Sequence, residues 1–189
     1  MNLDFRPILL NNGDKYTDYD MRVVLTWEDL LNSDAKDLDL FVEFDVSDRH
    51  RCNIGFYLPL CYGAITNYKE RANNEDIQQE TITVNTMANS TYLIYVAVYL
   101  DKQVLDESQV QESMARVDIY NPSMQTASTP LVSLNVPFES ADGVDPKGRP
   151  YRYWAVACIN GQKTQNFVYV LNLLLNQPPT VDLCNDYVS

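Results

Sequence analysis

Apolar and polar positions alternate along much of the chain, and the most regular alternation runs through residues 37–46. Its apolar side consists of Leu38, Leu40, Val42, Phe44 and Val46. Its other side consists of four acidic residues and one aromatic residue: Asp37, Asp39, Phe41, Glu43 and Asp45. Successive side chains of a strand point to opposite faces, so this pattern predicts a β-strand with one buried face and one acidic, solvent-facing side.

Eight further segments have strand-like patterns and are separated by turn residues. Together with the first they span residues 21–27, 37–46, 51–58, 80–85, 91–100, 115–121, 131–138, 151–160 and 167–175. No convincing long helix interrupts them, and residues 64–79 are expected to form a long polar loop. About nine short strands of this kind predict an all-β fold, an antiparallel β-sandwich of jelly-roll or immunoglobulin-like layout.

Two of these segments carry more specific expectations. Residues 91–100 are apolar on both faces, which predicts a central strand, or one whose outer face is covered by an arm or a partner. Pro137 lies inside the 131–138 segment, and a proline in a strand favours an edge or a bulge.

The 189-residue length suits one domain with a well-buried core. We expect an N-terminal arm at residues 1–20, a sandwich domain at residues 21–176 and a C-terminal tail at residues 177–189. The arm has a short apolar run at residues 5–10. It can fold back on its own domain, or it can add a strand to a neighbour's sheet edge and so produce dimers or open filaments.

The charge balance limits the classes of partner. The net charge is −12 and the pI is near 4.3, whereas nucleic acids and anionic membranes require a basic surface. No apolar segment is long enough to span a bilayer. We therefore expect protein partners, self-association through the terminal arms included, with no nucleic acid and no membrane insertion.

The chain shows none of the local motifs of common catalytic sites. It lacks a Gly-x-Ser-x-Gly elbow, a Walker loop, a dinucleotide glycine fingerprint and a His-Glu-x-x-His motif. A single histidine, His50, gives too few ligands for a zinc site. We expect a protein that is not an enzyme.

Three short motifs in order resemble the YfaP-like domains. They are Leu25-Thr26-Trp27, Asp37-Leu38-Asp39-Leu40 and Glu80-Thr81-Ile82-Thr83. The resemblance implies a β-sandwich of largely unassigned function, often a module of larger surface or secreted proteins. The chain departs from the family pattern at Phe41, where histidine is usual, and at Gln78-Gln79, where Gly-Pro is usual.

A weaker resemblance links the Asp-Leu-Asp strand to pre-peptidase C-terminal and TerD-type domains, some of which bind calcium. Asp37 and Asp39 lie two apart on a strand and face the same way. With a third acid, Glu80 being one candidate, they could supply the oxygen ligands that calcium requires. We favour the other interpretation, in which they form the solvated face of the strand. Calcium is therefore the one possible cofactor.

The four cysteines are Cys52, Cys61, Cys158 and Cys184. They are either free and buried, as in a cytosolic protein, or paired in one of three ways, as in a secreted one. The YfaP-like resemblance includes a cysteine pair like Cys52 and Cys61. If those two pair, Cys158 would pair with Cys184 and pin the tail.

The location of the protein is inferred from a few weak signals. Asn89-Ser90-Thr91 is a glycosylation sequon at an expected hairpin tip. The first ten residues hold Asp4, Arg6 and Pro7 where a signal peptide needs an apolar core, so the chain is cytoplasmic, has lost a leader or belongs to a longer protein. We favour an extracellular or cell-surface location.

These observations predict a non-catalytic structural or adhesive interaction module, exported and disulfide-bonded, which could be a subunit of a larger assembly. The alternative is a calcium- or carbohydrate-binding module that uses the acidic face around Asp37 and Asp39, with nearby tyrosines as a stacking surface.

Overall fold

The structure is a computed structural model. It describes residues 8–9, 20–28, 37–47, 50–55, 60–61, 64–67, 77–85, 91–99, 115–120, 129–135, 147, 152–160 and 167–187. These residues form twelve strands and one short 3-10 helix. The strands are β1 (Ile8–Leu9), β2 (Asp20–Glu28), β3 (Asp37–Ser47), β4 (His50–Ile54), β5 (Leu60–Cys61), β6 (Ala64–Asn67), β7 (Ile77–Asn85), β8 (Thr91–Tyr99), β9 (Arg116–Tyr120), β10 (Val132–Asn135), β11 (Tyr153–Asn160) and β12 (Phe167–Leu175). The helix, η1, spans Val181–Asp186.

The strands pair antiparallel in two six-stranded sheets. Sheet A has the order β1-β12-β11-β8-β3-β4, and sheet B has the order β10-β9-β2-β7-β6-β5. One apolar core lies between the sheets, with side chains from both. The alternation of β3 predicted its share of that core, because Leu38, Leu40, Val42 and Phe44 are all buried there. The predicted all-β sandwich is confirmed.

The expectation of a long loop at residues 64–79 is wrong. Residues 64–67 form β6, which pairs with β7. β7 itself begins at Ile77, three residues before the predicted strand. The error has a physical cause, since β6 has four residues and only Ala64 and Ile65 are apolar, which is too short for alternation to show. By contrast, β10 lies at the edge of sheet B, as Pro137 indicated.

A β-bulge in β11 changes which side chains face the core. Ala155 pairs with Tyr95 of β8 and Ala157 pairs with Ile94, so Val156 is an extra residue on β11. Val156 and Ala157 both contact the inter-sheet core. Strict alternation from Trp154 would direct Cys158 into that core. The bulge reverses the phase and places Cys158 on the outer face of sheet A.

The outer face of sheet A carries a second, smaller apolar cluster beneath residues 176–187, which we call the C-terminal strap. Leu93 and Tyr95 of β8 are buried there, together with Val181 and Cys184 of the strap. The two-faced apolar pattern of residues 91–100 is thereby explained, since β8 is central and its outer side is covered. At the sheet's far edge, Ile8–Leu9 of the N-terminal arm pairs with β12 of the same chain.

Candidate functional site

The acidic outer face of β3 is the main candidate for a functional site, and most of its described acidic side chains are covered by other parts of the chain. Asp39 is 5% exposed and Glu43 is 7% exposed, whereas Asp45 is exposed. The expectation of a solvated acidic face is therefore wrong for Asp39 and Glu43. For Glu43 the cause is the strap, whose Val181 lies against its carboxylate.

Glu43 holds the first residue of η1. The backbone N–H of Val181 donates a hydrogen bond to Glu43 Oε2 at 2.5 Å. Burial raises the pKa of Glu43 above its ordinary value, and this effect outweighs the opposing influence of the Val181 N–H and of the Arg51 charge.

Arg51 on β4 joins the sheet to the strap from the solvent side. Its Nε donates to Asp45 Oδ1 at 2.9 Å, and its Nη2 donates to Asp182 Oδ1 at 2.8 Å. The ion pair with Arg51 holds the pKa of Asp182 below its ordinary value. All three side chains are more than a third exposed, so solvent screening keeps the contribution of each pair to stability small. Their effect is to fix the position of the strap.

A disulfide completes the attachment of the strap. Cys158 of β11 is bonded to Cys184 of η1 with their Cα atoms 5.7 Å apart, and both residues are fully buried. Cys184 Sγ lies 3.7 Å from the carbonyl oxygen of Tyr92. The conditional prediction that this bridge pins the tail is confirmed. Cys52 is also disulfide-bonded, whereas the side chain of Cys61 lies outside the part of the chain that the structure describes.

Beside the strap, aromatic rings cross the outer face of sheet A. Phe41 and Tyr95 stack with centroids 5.0 Å apart, and Tyr153 meets Tyr95 edge-on at 6.5 Å. Asn53 Nδ2 donates to the Tyr95 hydroxyl at 2.6 Å. Burial, chiefly, raises the pKa of Tyr95 to about 12. The Phe41 ring stacks on Tyr95 and lies over Gly55.

The structure brings two of the three candidate metal ligands to the same stretch of backbone. Glu80 of β7 is 4% exposed, and its Oε2 accepts a hydrogen bond from the N–H of Leu40, next to Asp39, at 2.6 Å. Asp39 and Glu80 both make further interactions within the protein. The side chain of Asp37 is outside the described residues. Among the described side chains, no three acidic, histidine or cysteine residues cluster as a metal site would require.

Other predictions concern parts of the chain without a described structure. Asn89, the glycosylation candidate, lies outside the described residues. In the part that is described, no helix is long and apolar enough to cross a membrane.

The polar residues that attach the strap to this face were not identified from the sequence. Arg51 and Asp182 are 131 positions apart, and neither belongs to a motif. Glu43 was visible only as one of several acids on the predicted face of β3. One signal in the sequence indicates that this segment packs on the sheet. The tail is short and contains apolar residues, prolines and a cysteine.

Comparison with known proteins places the chain by its fold. A solved structure of a homologue of the telluride resistance protein TerD, from Streptomyces coelicolor A3(2), is similar to it with a TM-score of 0.55 and 13% sequence identity. The similarity covers 89% of this chain and 95% of that one. No protein-family model and no curated protein matches the chain. At this identity the likeness shows a shared fold, in agreement with the resemblance to TerD-type domains, and the YfaP-like resemblance stays a prediction.

Proposed function

We propose that this chain is a non-catalytic structural or adhesive interaction module, exported and disulfide-bonded, that acts as a subunit of a larger assembly. One observation carries the proposal. The acidic face that could have formed a working site is used to hold the chain's own C-terminal strap, through Glu43, Arg51 and the Cys158–Cys184 bridge. Because these side chains bind another segment of the same chain, we favour a structural role for this face.

The disulfide supports export. Bridges of this kind persist in oxidising compartments and are rare in cytosolic proteins. Cys52, Cys158 and Cys184 are all bonded. The protein isolated from its native source and unfolded in denaturant should therefore take up no alkylating reagent until a reductant is added. Ready alkylation of all four cysteines without reductant would contradict export.

Strand edges support the assembly part of the proposal. β1 contributes two residues to the edge of sheet A, and β10 forms the edge of sheet B with Leu131 exposed beside it. An arm that adds so short a strand to its own sheet can make the same pairing with a second copy.

Light scattering on the full chain and on a variant without residues 1–15 tests this idea. We expect a mass above the 21.7 kDa of one chain, and a fall to one chain after the deletion. A monomer in both cases would remove assembly through this arm. A control that lacks only residues 1–4 keeps Ile8–Leu9 and should assemble like the full chain.

The alternative is calcium binding near Asp39 and Glu80, and the observation that favours it is the burial of two carboxylates close to one backbone segment. A ligand that binds only the native state raises the melting temperature. If calcium binds, millimolar calcium should raise the melting temperature relative to a chelator control, and Glu80→Gln should abolish the rise. An unchanged melting temperature in the parent chain would rule this alternative out.

A further inference from the structure

We propose that the C-terminal strap is a redox-releasable cover: reduction of the Cys158–Cys184 bridge lets residues 176–187 leave sheet A and uncovers an apolar surface, while the sandwich stays folded. This inference is independent of the proposed function, because it concerns only the contacts between the strap and the sheet.

The strap is attached at a few points and by no described backbone ladder. The described backbone hydrogen bonds of the strap are local, from Leu183 N–H to the Thr180 carbonyl and from Tyr187 N–H to the Cys184 carbonyl. Its contacts with the sheet include the disulfide, the Glu43–Val181 hydrogen bond and the Arg51–Asp182 ion pair. Val181 is buried against the outer cluster, and Leu183 and Tyr187 pack on it while partly exposed. Segments whose described backbone hydrogen bonds are local can open while the strands around them stay paired.

The sandwich does not depend on the strap for its main core. The cluster between the two sheets contains residues of the strands and their immediate flanks, and no strap residue belongs to it. The strap covers the separate outer cluster, in which Leu93, Tyr95, Ala155 and Leu171 are buried. Its departure would expose these side chains and leave the inter-sheet packing intact.

The chemical step is thiol–disulfide exchange with a dithiol reductant. A thiolate of the reductant attacks one sulfur of the bridge to form a mixed disulfide and releases the other cysteine as a thiol. The second thiol of the reductant then displaces the first, so that the reductant is oxidised to its disulfide and Cys158 and Cys184 each gain one electron and one proton. Both cysteines are fully buried, and attack therefore requires the strap to open first.

Hydrogen exchange measured by mass spectrometry tests the release. Dithiothreitol would also reduce the bridge at Cys52, so the main comparison uses the double variant Cys158→Ser/Cys184→Ser with the parent chain, both without reductant. We expect the Val181 and Leu183 amides to exchange at least about tenfold faster in the variant than in the parent chain, and faster than the amides of β3, β8 and β11 in the same variant.

Two results would overturn the proposal. If the strap amides are as protected in the variant as in the parent chain, noncovalent contacts alone hold the strap. If, in the variant, the strap amides exchange no faster than those of β3 and β8, the strap opens only when the whole sandwich unfolds, and loss of the bridge releases nothing. Binding of a hydrophobic dye should rise in the variant if the outer cluster is uncovered, and an unchanged dye signal would also contradict the proposal.

The rate of reduction tests the opening step. Arg51→Met removes the ion pair to Asp182 and should speed reduction of the Cys158–Cys184 bridge by dithiothreitol several-fold, read from peptides that contain each cysteine. Arg152→Met makes the same charge change at an exposed arginine outside the strap contacts and should leave the rate unchanged. Equal rates for the two variants would show that the strap does not open by this route.

Discussion

At the scale of single residues, Gly55 and Phe41 account for one departure from the YfaP-like pattern. A Cβ atom at position 55 would collide with the Cδ1 atom of the Phe41 ring and lie 3.1 Å from the Leu40 carbonyl oxygen. The ring covers a glycine at the end of an edge strand and stacks on Tyr95, a known means of stabilising such positions. Phenylalanine at position 41 therefore has a structural role in this chain.

Gly55→Ala should lower the free energy of unfolding by about 1–3 kcal/mol, because the added methyl forces the Phe41 ring or the backbone to move. Urea denaturation measures the change. In a Phe41→Ala background the same substitution should cost much less. An equal cost in both backgrounds would show that the ring is not the obstacle.

Asn172 has two functions at the bulge between β11 and β12. Its φ is 50°, a left-handed conformation that asparagine tolerates better than most residues. Its Oδ1 accepts a hydrogen bond from the indole N–H of the fully buried Trp154 at 2.8 Å.

Two substitutions at position 172 separate these functions. Asn172→Gly keeps the backbone conformation and leaves the buried indole N–H unpaired, at a cost of about 1–3 kcal/mol. Asn172→Ala adds backbone strain of roughly 1–2 kcal/mol and should be the less stable of the two in urea denaturation. Equal stability of the two variants would contradict a role for the backbone conformation.

Glu43 makes the free energy of unfolding of the chain fall as the pH rises. Because burial raises its pKa above the ordinary 4.5, its contribution to stability is fully present below that value and is lost as the pH rises through the raised pKa. Glu43→Gln keeps an acceptor for the Val181 N–H without the charge. Relative to the parent chain, the variant should gain stability as the pH rises from about 4 to 7, measured by urea denaturation at each pH.

Asp182→Asn provides a control of opposite sign. The pKa of Asp182 is lowered by Arg51, so its contribution is present above the ordinary 3.8 and is lost as the pH falls through the lowered value. A Glu43→Gln profile parallel to that of the parent chain would contradict a raised Glu43 pKa.

At the scale of elements, the covalent attachment of the strap depends on the bulge in β11. The bulge turns Cys158 outward, and the bridge to Cys184 then closes a loop of sequence separation 26. In the chain-entropy picture a loop of this length stabilises by about 3 kcal/mol. Cys158→Ser/Cys184→Ser should lower the free energy of unfolding by roughly that amount, measured by urea denaturation without reductant. A change within experimental error would show that the unfolded chain gains little freedom.

The strands that could be predicted from the sequence are those with one apolar face and one polar face. β2, β3 and the second half of β7 alternate, and their inward residues are the ones that the pattern indicated. β6 was missed because four residues carry too little alternation. The bulge was missed because Val156, Ala157 and Cys158 are all small or apolar, so that either phase fits the pattern.

At the scale of the whole molecule, what could not be predicted is which distant segments meet. The burial of Glu43 depends on Val181, 138 positions away, and no local pattern contains that information. Alternation could show that β3 has an acidic side, but solvation of that side depends on whether another segment covers it. The same limit applies to Glu80, whose carboxylate reaches the backbone of β3 from the other sheet.

The chain carries a net charge of −12, and a charge of this size favours solubility. On β3, Asp39 and Glu43 are buried and Asp45 is paired with Arg51. The charge that solvent meets is therefore carried mainly by other residues. Export, assembly and the alternative of calcium binding stay predictions.

The C-terminal strap is fixed to the outer face of sheet A by the disulfide between Cys158 and Cys184. Tryptic peptide mapping without reductant, after alkylation, tests it most directly, because Cys158 and Cys184 fall in separate peptides, residues 153–163 and 164–189. We predict a linked pair of these two peptides that separates on reduction. Recovery of the two peptides as separate alkylated species before reduction would contradict the account.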